Sequence, residues 1–297
     1  MSSAGRDGTS PAMDTPFDRR LRRLRRDRAA ARSGDADYLH RHAADELLDR
    51  IIDVRRDFRD VLDLGCGGGY VSTMLRGRGL SVTPADAGSL FARNERNGVQ
   101  GDEDRLPFAD ASFDLVVSVG VLDSVNDLPG ALTLVRRALR PDGLLLAAFA
   151  GAGSLPRLRS AMQAADAAAS GGAAPRIHPQ IDVRAAGDLL SRAGFALPVA
   201  DVESVDIRFP HLPALVSDLR SMAATNILAA RSKTALSRHA LAAAIADFAV
   251  HAADDGKTTE RFEIVYLTGW APAPGQPQPA RRGSATASLA AALKKPS

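Results

Sequence analysis

The chain has 297 residues, of which 45% are hydrophobic and 25% charged, and its formal net charge is +3. This composition is typical of a globular protein with one large or two small domains, and the single cysteine, Cys66, excludes an intrachain disulfide and favours a reducing compartment. No uninterrupted apolar run reaches the roughly 18 residues that span a membrane, and the opening residues lack the apolar segment of a secretory signal.

The start of the chain is unusually basic. Residues 1–16 are rich in Gly, Ser and Pro and are predicted to be disordered, whereas 17–36 is predicted to be a basic arm with a helix over 17–32. Such an arm is typical of contact with nucleic acid, an anionic membrane or an acidic partner, and a solvated helix face is the plain alternative. Because no aromatic residues interleave the arginines, a protein partner or a membrane surface ranks above nucleic acid. The arginines are Arg19, Arg20, Arg22, Arg23, Arg25, Arg26, Arg28 and Arg32.

Helices and strands are predicted to alternate from residue 37 onward. This alternation implies βαβ units and a doubly wound, mostly parallel α/β sheet with helices on both faces, which binds its ligand beyond the carboxyl ends of the strands. Arg140-Pro141-Asp142-Gly143 is interpreted as a turn. Strands are predicted at 60–64, 80–85, 97–101, 113–119, 144–149, 196–208 and 262–267, and helices at 37–54, 69–77, 88–95, 127–139, 154–170, 182–193, 211–223 and 233–252.

A glycine-rich turn after the first strand is the most informative motif. Asp63 lies near the end of the strand, and Gly65, Gly67 and Gly69 follow. A dinucleotide fingerprint would need glycine at the position of Tyr70, so that pattern fails. The pattern Asp-x-Gly-x-Gly-x-Gly resembles the first motif of class I S-adenosylmethionine-dependent methyltransferases. The resemblance implies that the acid lies near the methionine amino group of the cofactor and that the glycines make room for it; a tight strand–helix turn is the alternative.

Further acidic residues fit the same cofactor. Asp86 follows the second strand, 21 residues after Gly65, where a carboxylate can accept both ribose hydroxyls; a helix N-cap is the alternative. By the resemblance, Asp102 accepts the adenine amine and Glu103 acts through its backbone N–H, and an exposed acidic loop is the alternative. Asp123, beyond the fourth strand, is the candidate catalytic base, and a helix cap is equally favoured.

Other chemistries find little support in the sequence. The segment Gly256-Lys257-Thr258 lacks the earlier glycine of a phosphate-binding loop, since His251 stands there. The six histidines show neither a zinc spacing nor an iron facial triad, so no metal site is predicted. They are interpreted as surface or core residues, with His178 as one that could line the acceptor mouth.

Segments outside the cofactor motifs indicate a narrower family. The resemblance to it runs from about residue 17 to 287. These segments resemble the respiratory complex I assembly factors of the methyltransferase fold, a family described both as methyltransferases and as arginine hydroxylases, and more distantly related to the malonyl-carrier-protein methyltransferase of biotin synthesis. The segments are Phe17-Asp18-Arg19-Arg20, Asp37-Tyr38-Leu39, Val125-Asn126-Asp127-Leu128-Pro129, Leu189-Leu190-Ser191-Arg192-Ala193-Gly194-Phe195, Asp218-Leu219-Arg220-Ser221-Met222, Tyr266-Leu267-Thr268-Gly269-Trp270 and Arg282-Gly283-Ser284-Ala285-Thr286.

The resemblance implies an S-adenosylmethionine-dependent methyltransferase. The predicted organisation is a class I (Rossmann-like) domain over 37–270, with a lid and acceptor region at 151–228, followed by a flexible basic tail at 271–297. The predicted location is cytoplasmic. The implied acceptor is a protein, a subunit of respiratory complex I. The alternatives are a cofactor-assisted arginine hydroxylase, a non-catalytic assembly chaperone, and a small-molecule or carrier-protein methyltransferase. Peripheral contact with the inner membrane, or the mitochondrial matrix in a eukaryote, are alternative locations.

One departure from the family falls beside the expected acceptor. The family usually carries His-Trp before Val125, whereas this chain has Asp123-Ser124. An aromatic wall would favour a planar cation such as guanidinium, so its loss weakens the expectation of an arginine acceptor.

Overall fold

A computed structural model of the chain describes residues 15–32, 36–169 and 172–276. Most of the predicted disordered start (1–16) and most of the predicted flexible tail (271–297) lie outside these ranges. None of the described helices combines the length and apolar character needed to cross a membrane. The helices are α1 (Arg19–Ala30), α2 (Tyr38–Asp53), α3 (Tyr70–Gly77), α4 (Ser89–Asn94), α5 (Leu128–Ala138), α6 (Pro156–Ala168), α7 (Val183–Arg192), α8 (Leu212–Ser221) and α9 (Arg238–Val250), with a 3-10 turn at Leu122–Ser124. The strands are β1 (Asp60–Leu64), β2 (Ser81–Asp86), β3 (Val99–Gln100), β4 (Phe113–Val119), β5 (Leu139–Ala150), β6 (Ala196–Phe209) and β7 (Thr258–Trp270).

The strands form a seven-stranded sheet in the order β3-β2-β1-β4-β5-β7-β6. Pairing is parallel from β3 to β5, and β7 runs antiparallel to both β5 and β6. This architecture confirms the predicted doubly wound, mostly parallel α/β fold.

Helices cover both faces of the sheet because the central strands are apolar on both sides. In β5, Leu144 and Leu146 face a core built with α2, α3, α6, α8 and α9, whereas Leu145 and Phe149 face a second core built with α5 and α7. Alternate side chains of a strand point to opposite faces, so a continuous apolar run fills two cores at once.

Two elements differ from the sequence prediction. The predicted turn at 140–143 is wrong: the segment is an irregularity within β5, where Asp142 has a φ of 65° and the register with β4 shifts between Phe113 and Leu115. Strand β7 covers 13 residues rather than the predicted six, because it pairs with β5 on one side and with β6 on the other.

The basic arm packs onto the domain through its first residues. The Phe17 backbone N–H donates to Asn126 Oδ1 at 2.8 Å, and Asn126 Nδ2 donates to the Phe17 carbonyl at 3.1 Å. The Phe17 ring is buried with Ile227 and Leu228. Helix α1 begins directly after this clasp and packs against α4 and α8, so it lies at the ligand-binding edge of the sheet.

Candidate cofactor and acceptor site

The glycine turn between β1 and α3 needs residues without a side chain. Gly65 has a φ of 84°, and a Cβ there would lie 2.5 Å from both methyl carbons of Val121. Gly67 has a φ of 51°, and Gly69, with a φ of 76°, caps α3 where a Cβ would collide with the Glu95 carboxylate. Left-handed backbone strongly favours glycine, so these residues let the chain turn sharply beside an open space.

A cavity of about 310 Å³ opens in front of this turn, with Asp63, Gly65 and Gly67 in its walls. The Asp63 side chain is almost fully buried, and Ser72 Oγ donates to its Oδ2 at 2.6 Å. Burial raises the pKa of Asp63 to about 7. The structure therefore brings three of the predicted cofactor residues together, while Gly69 lies behind them at the start of α3.

The predicted ribose acid, Asp86, is fully buried, and its carboxylate already accepts four hydrogen bonds. Arg26 Nε donates to Oδ1 at 2.6 Å and Arg26 Nη2 donates to Oδ2 at 2.5 Å. The backbone N–H of Gly88 donates to Oδ1 at 2.7 Å and that of Gly67 to Oδ2 at 3.1 Å. Asp86 thus joins the glycine turn to the start of α4, and α1 closes over it.

The predicted adenine residues are also held by α1. Arg22 forms a bidentate pair with Glu103, with distances of 2.7 and 2.8 Å, and Glu103 is almost fully buried. Arg23 pairs with Asp102, and Arg19 Nη1 lies 3.0 Å from Asp102 Oδ2. Burial raises the pKa of Asp102, but the hydrogen bonds from Arg23 and Arg19 outweigh it and leave the pKa below its usual range. The basic arm therefore contacts acids of its own chain, which neither sequence interpretation of the arm anticipated.

A second cavity, of about 270 Å³, adjoins the first. Its walls are mainly apolar and come from α2, α6, α8, the ends of β4 and β5 and the segment 176–180. Both cavities are lined by His40, Val119 and Met222. A reacting group in one cavity can therefore meet a group held in the other near the end of β4.

Asp123 places a carboxylate in this second cavity. It lies in the 3-10 turn and is partly buried; burial raises its pKa to about 6 although Arg22 favours the charged form. Ser124 does not line the cavity, because its hydroxyl donates to the Val121 carbonyl at 3.0 Å and accepts from Arg22 Nε at 3.2 Å. The departure from the family pattern thus gives this chain an acid at the acceptor side.

Two histidines, His40 and His178, also line the second cavity. Burial lowers the pKa of both His40 and His178 to about 4, so both rings are neutral near pH 7. His178 Nε2 accepts from the Ile227 backbone N–H at 3.1 Å, which fixes that nitrogen as the acceptor. His178 lines the acceptor cavity as suggested, whereas the position of His40 at the junction was missed.

Phe91 was also missed by the sequence analysis. Its ring lines the first cavity, and the Arg26 guanidinium lies 5.2 Å from the ring centroid. An aromatic residue a few positions after Asp86 is the signal that could have found it, since adenine stacks on aromatic faces.

Comparison with known proteins gives consistent matches. Residues 62–147 match the methyltransferase domain family. Over 284 residues the chain is 35% identical to arginine-hydroxylase NDUFAF5, mitochondrial, of Danio rerio, covering 92% of this chain and 88% of that protein. The human protein of the same name is 36% identical and covers 96% of this chain and 85% of its own length. A malonyl-[acyl-carrier protein] O-methyltransferase of Halorhodospira halophila is 34% identical, covering 88% of this chain and 90% of that protein.

A solved structure shares the fold at low sequence identity. The YcgJ protein of Bacillus superposes with a TM-score of 0.51 at 17% identity, covering 79% of this chain and all of that chain.

Proposed function

The chain belongs to the arginine-hydroxylase NDUFAF5 family within the S-adenosylmethionine-dependent enzymes, and we propose that it methylates an arginine side chain of a protein assembled into respiratory complex I. It is an enzyme of the methyltransferase fold that uses S-adenosylmethionine. The animal relatives are named as mitochondrial proteins, which favours a place of action beside the respiratory membrane.

The first cavity suits the methionine part of the cofactor. The residues present fit it, since Asp63 offers a buried carboxylate to an amino group and a Cβ at Gly65 would fill the approach to Val121. Asp86 and Asp102 are proposed for ribose and adenine once α1 has released them. When bound, the cofactor supplies a methyl group on a positively charged sulfur.

One observation carries the proposed acceptor: Asp123 is a carboxylate in an apolar cavity that adjoins the cofactor cavity. An arginine side chain combines an apolar stem with a head that only donates hydrogen bonds. The stem suits the apolar walls, and the head suits a carboxylate that can accept two parallel hydrogen bonds. Asp123 thereby takes over the role that an aromatic wall would have for a planar cation.

The residues of this chain contribute mainly alignment. Holding the acceptor in line with the methyl group lowers the barrier by on the order of 7–11 kcal/mol in favourable cases. Asp123 would accept, on a carboxylate oxygen, the proton that the arginine nitrogen gives up when it receives the methyl group. His40 and Val119 wall the junction of the cavities and keep bulk water from the reacting atoms.

The charge of the second cavity argues against a carboxylate acceptor, such as that implied by the names of the carrier-protein relatives. Asp123 and Glu263 are its carboxylates, and Arg176 is the sole Arg or Lys among the described residues that line it. Arg176 is already paired with Asp166 at 2.5 Å, so an incoming carboxylate would meet repulsion and no free cation.

The experiment follows the fate of the methyl group. S-adenosylmethionine with a deuterated methyl group is incubated with the enzyme and with complex I subunits from cells that lack it, and arginines are read by tandem mass spectrometry. A deuterated methyl on arginine supports the proposal. Asp123→Asn should lower its formation by about 10²–10⁴-fold, whereas Asp110→Asn, an exposed acid remote from both cavities, should not.

Hydroxylation is the second candidate, because relatives matched over nearly their whole length carry that name. One added oxygen without the deuterated methyl would establish it in place of methylation. An unchanged subunit, with complex I assembly still dependent on the protein, would favour the chaperone alternative.

A further inference from the structure

We propose that α1 is an autoinhibitory latch: its arginines occupy the acids of the cofactor site, so that S-adenosylmethionine binds only after the helix has withdrawn from them. This inference rests on the proposed assignment of Asp86 and Asp102 to the cofactor. It concerns a segment that the proposed reaction itself does not use.

The hydrogen-bonding capacity of Asp86 is already saturated in this structure. A carboxylate offers about four lone-pair sites to donors. Asp86 receives two donors from Arg26 and one each from the Gly67 and Gly88 backbones. No site remains for a ribose hydroxyl, and the residue is fully buried. The two backbone donors belong to the glycine turn and the start of α4, so the contact that must yield to a ribose is that of Arg26.

The same face of α1 blocks the remaining acids. Arg19, Arg22, Arg23 and Arg26 follow the three- and four-residue spacing that brings side chains to one side of a helix. Their guanidinium groups pair in turn with Asp104, Glu103, Asp102 and Asp86. Four cations thus neutralise four acids, and the helix acts as a single unit.

When the cofactor replaces Arg26 at Asp86, neither charged group is left buried without a partner. Breaking a buried ion pair is costly when the remaining charge finds no partner. A ribose supplies hydroxyl donors to Asp86 in place of the Arg26 guanidinium, and Arg26 regains water once α1 has moved. The cofactor can therefore displace the latch, at the expense of part of its binding energy.

Another arginine of α1, Arg25, opposes the closed position. Arg25 Nε is buried without a hydrogen-bond partner among the described residues. Burial and the like charges of Arg28, Arg220 and Arg231 lower the pKa of Arg25. Withdrawal of the helix relieves both the burial of Arg25 and its repulsion by the neighbouring arginines. The ion pairs with the acids therefore hold the closed position against these two costs.

Withdrawal of α1 would also affect the first cavity through a contact between α1 and α4. Asp27 of α1 accepts from the Leu90 backbone N–H at 2.9 Å and so caps α4, the helix that carries Phe91. The clasp between Phe17 and Asn126 contains none of these arginines, so it can keep the start of the arm in place while α1 moves.

The test is calorimetry of S-adenosylhomocysteine binding to the full chain and to two variants. Arg26→Met removes the guanidinium but keeps an apolar stem, and we expect it to bind about 5- to 150-fold more tightly, since a ligand that must first open a closed state loses that factor in affinity. Arg20→Met is the matched control: Arg20 is exposed on the same helix, carries the same charge and makes no ion pair or side-chain hydrogen bond with the described residues. Its affinity should stay at the wild-type value.

Hydrogen exchange of the unmodified chain supplies a readout that needs no variant. The latch predicts that S-adenosylhomocysteine increases amide exchange across 19–30. Equal affinities for wild type and Arg26→Met, or weaker binding by Arg26→Met with protection of 19–30, would overturn it, and the second result would make α1 a lid over bound cofactor. Binding by none of the proteins, while their thermal unfolding stays cooperative, would overturn the cofactor site and the latch together.

Discussion

The imidazole of His40 lies against Gly120, at the wall between the two cavities. Gly120 follows β4 with a φ of 69°, and a Cβ there would overlap the His40 ring. The ring therefore owes its position to a residue without a side chain, and its low pKa keeps it neutral at the point where the two cavities meet.

Gly120→Ala should damage both the fold and the reaction. An L-residue in left-handed backbone costs about 1–3 kcal/mol of stability, and the new methyl group would push His40 out of the junction. We expect a lower melting temperature and a loss of turnover. Gly77→Ala is the control, because a Cβ at Gly77 would meet no other atom within 4 Å and its φ is not left-handed, and it should leave both properties intact. Wild-type turnover by Gly120→Ala would contradict the placement of His40.

Gly65→Ala should weaken cofactor binding. The added methyl group would lie 2.5 Å from the Val121 side chain, and the φ of 84° adds strain. We expect the calorimetric Kd for S-adenosylhomocysteine to rise about tenfold or more, since 1–3 kcal/mol of strain falls on the binding turn. The double variant Gly65→Ala/Val121→Ala should recover only part of the affinity, because it removes the collision and leaves the backbone strain. Full recovery would show that the left-handed turn is unimportant.

Cofactor affinity should increase with pH through the titration of Asp63. Its pKa of about 7 means that the side chain is mostly neutral at pH 6 and mostly charged at pH 8. The ammonium group of the cofactor favours the carboxylate, so affinity should rise up to about pH 7 and level off above it. Calorimetry from pH 5.5 to 8.5, roughly the range around that pKa, measures the change. Asp63→Asn should bind weakly with no such rise; an unchanged pH profile in this variant would assign the proton to another group.

The unliganded protein should respond to pH in the opposite sense. Burial favours the neutral form of Asp63, so its folded pKa lies above the unfolded value of 3.8. The stability that the protonated Asp63 side chain contributes is fully present below pH 3.8, and it is lost as the pH rises through about 7. The gain in stability of Asp63→Asn over wild type should therefore be larger at pH 8 than at pH 5, as measured by urea unfolding.

The rate of the proposed methyl transfer should depend on Asp123. The carboxylate accepts a proton only when ionised, so kcat/KM, which reports the free enzyme, should rise with pH with a midpoint near 6. Asp123→Asn should remove this midpoint along with most of the rate. Asp110→Asn should keep both, and a midpoint that persists in Asp123→Asn would rule out Asp123 as the base.

The central sheet could be predicted because its signals are local. The run from Phe113 to Val119 and the run from Leu144 to Phe149 are mainly apolar on both faces, which a strand needs when helices cover both sides. The glycine turn could also be predicted, since left-handed backbone beside a buried strand strongly favours glycine.

The position of α1 could not be predicted, because its partners are distant in the sequence. Arg26 and Asp86 are 60 residues apart, and Arg22 and Glu103 are 81 apart. Each residue separately resembles a solvated charge or a ligand contact, and only the closed fold brings them together. His40 was missed for a similar reason, since the neighbouring Gly120 lies at the end of a distant strand.

The place of β7 in the sheet has a consequence for synthesis on the ribosome. The parallel strands can pair as they emerge, but β6 has no neighbour until Thr258–Trp270 has left the exit tunnel, because β7 separates it from β5. During that interval a 14-residue strand with Val199 and Val202 exposed presents unpaired backbone to other nascent chains. A translational pause placed before β7 should therefore increase chaperone demand more than a pause placed after it.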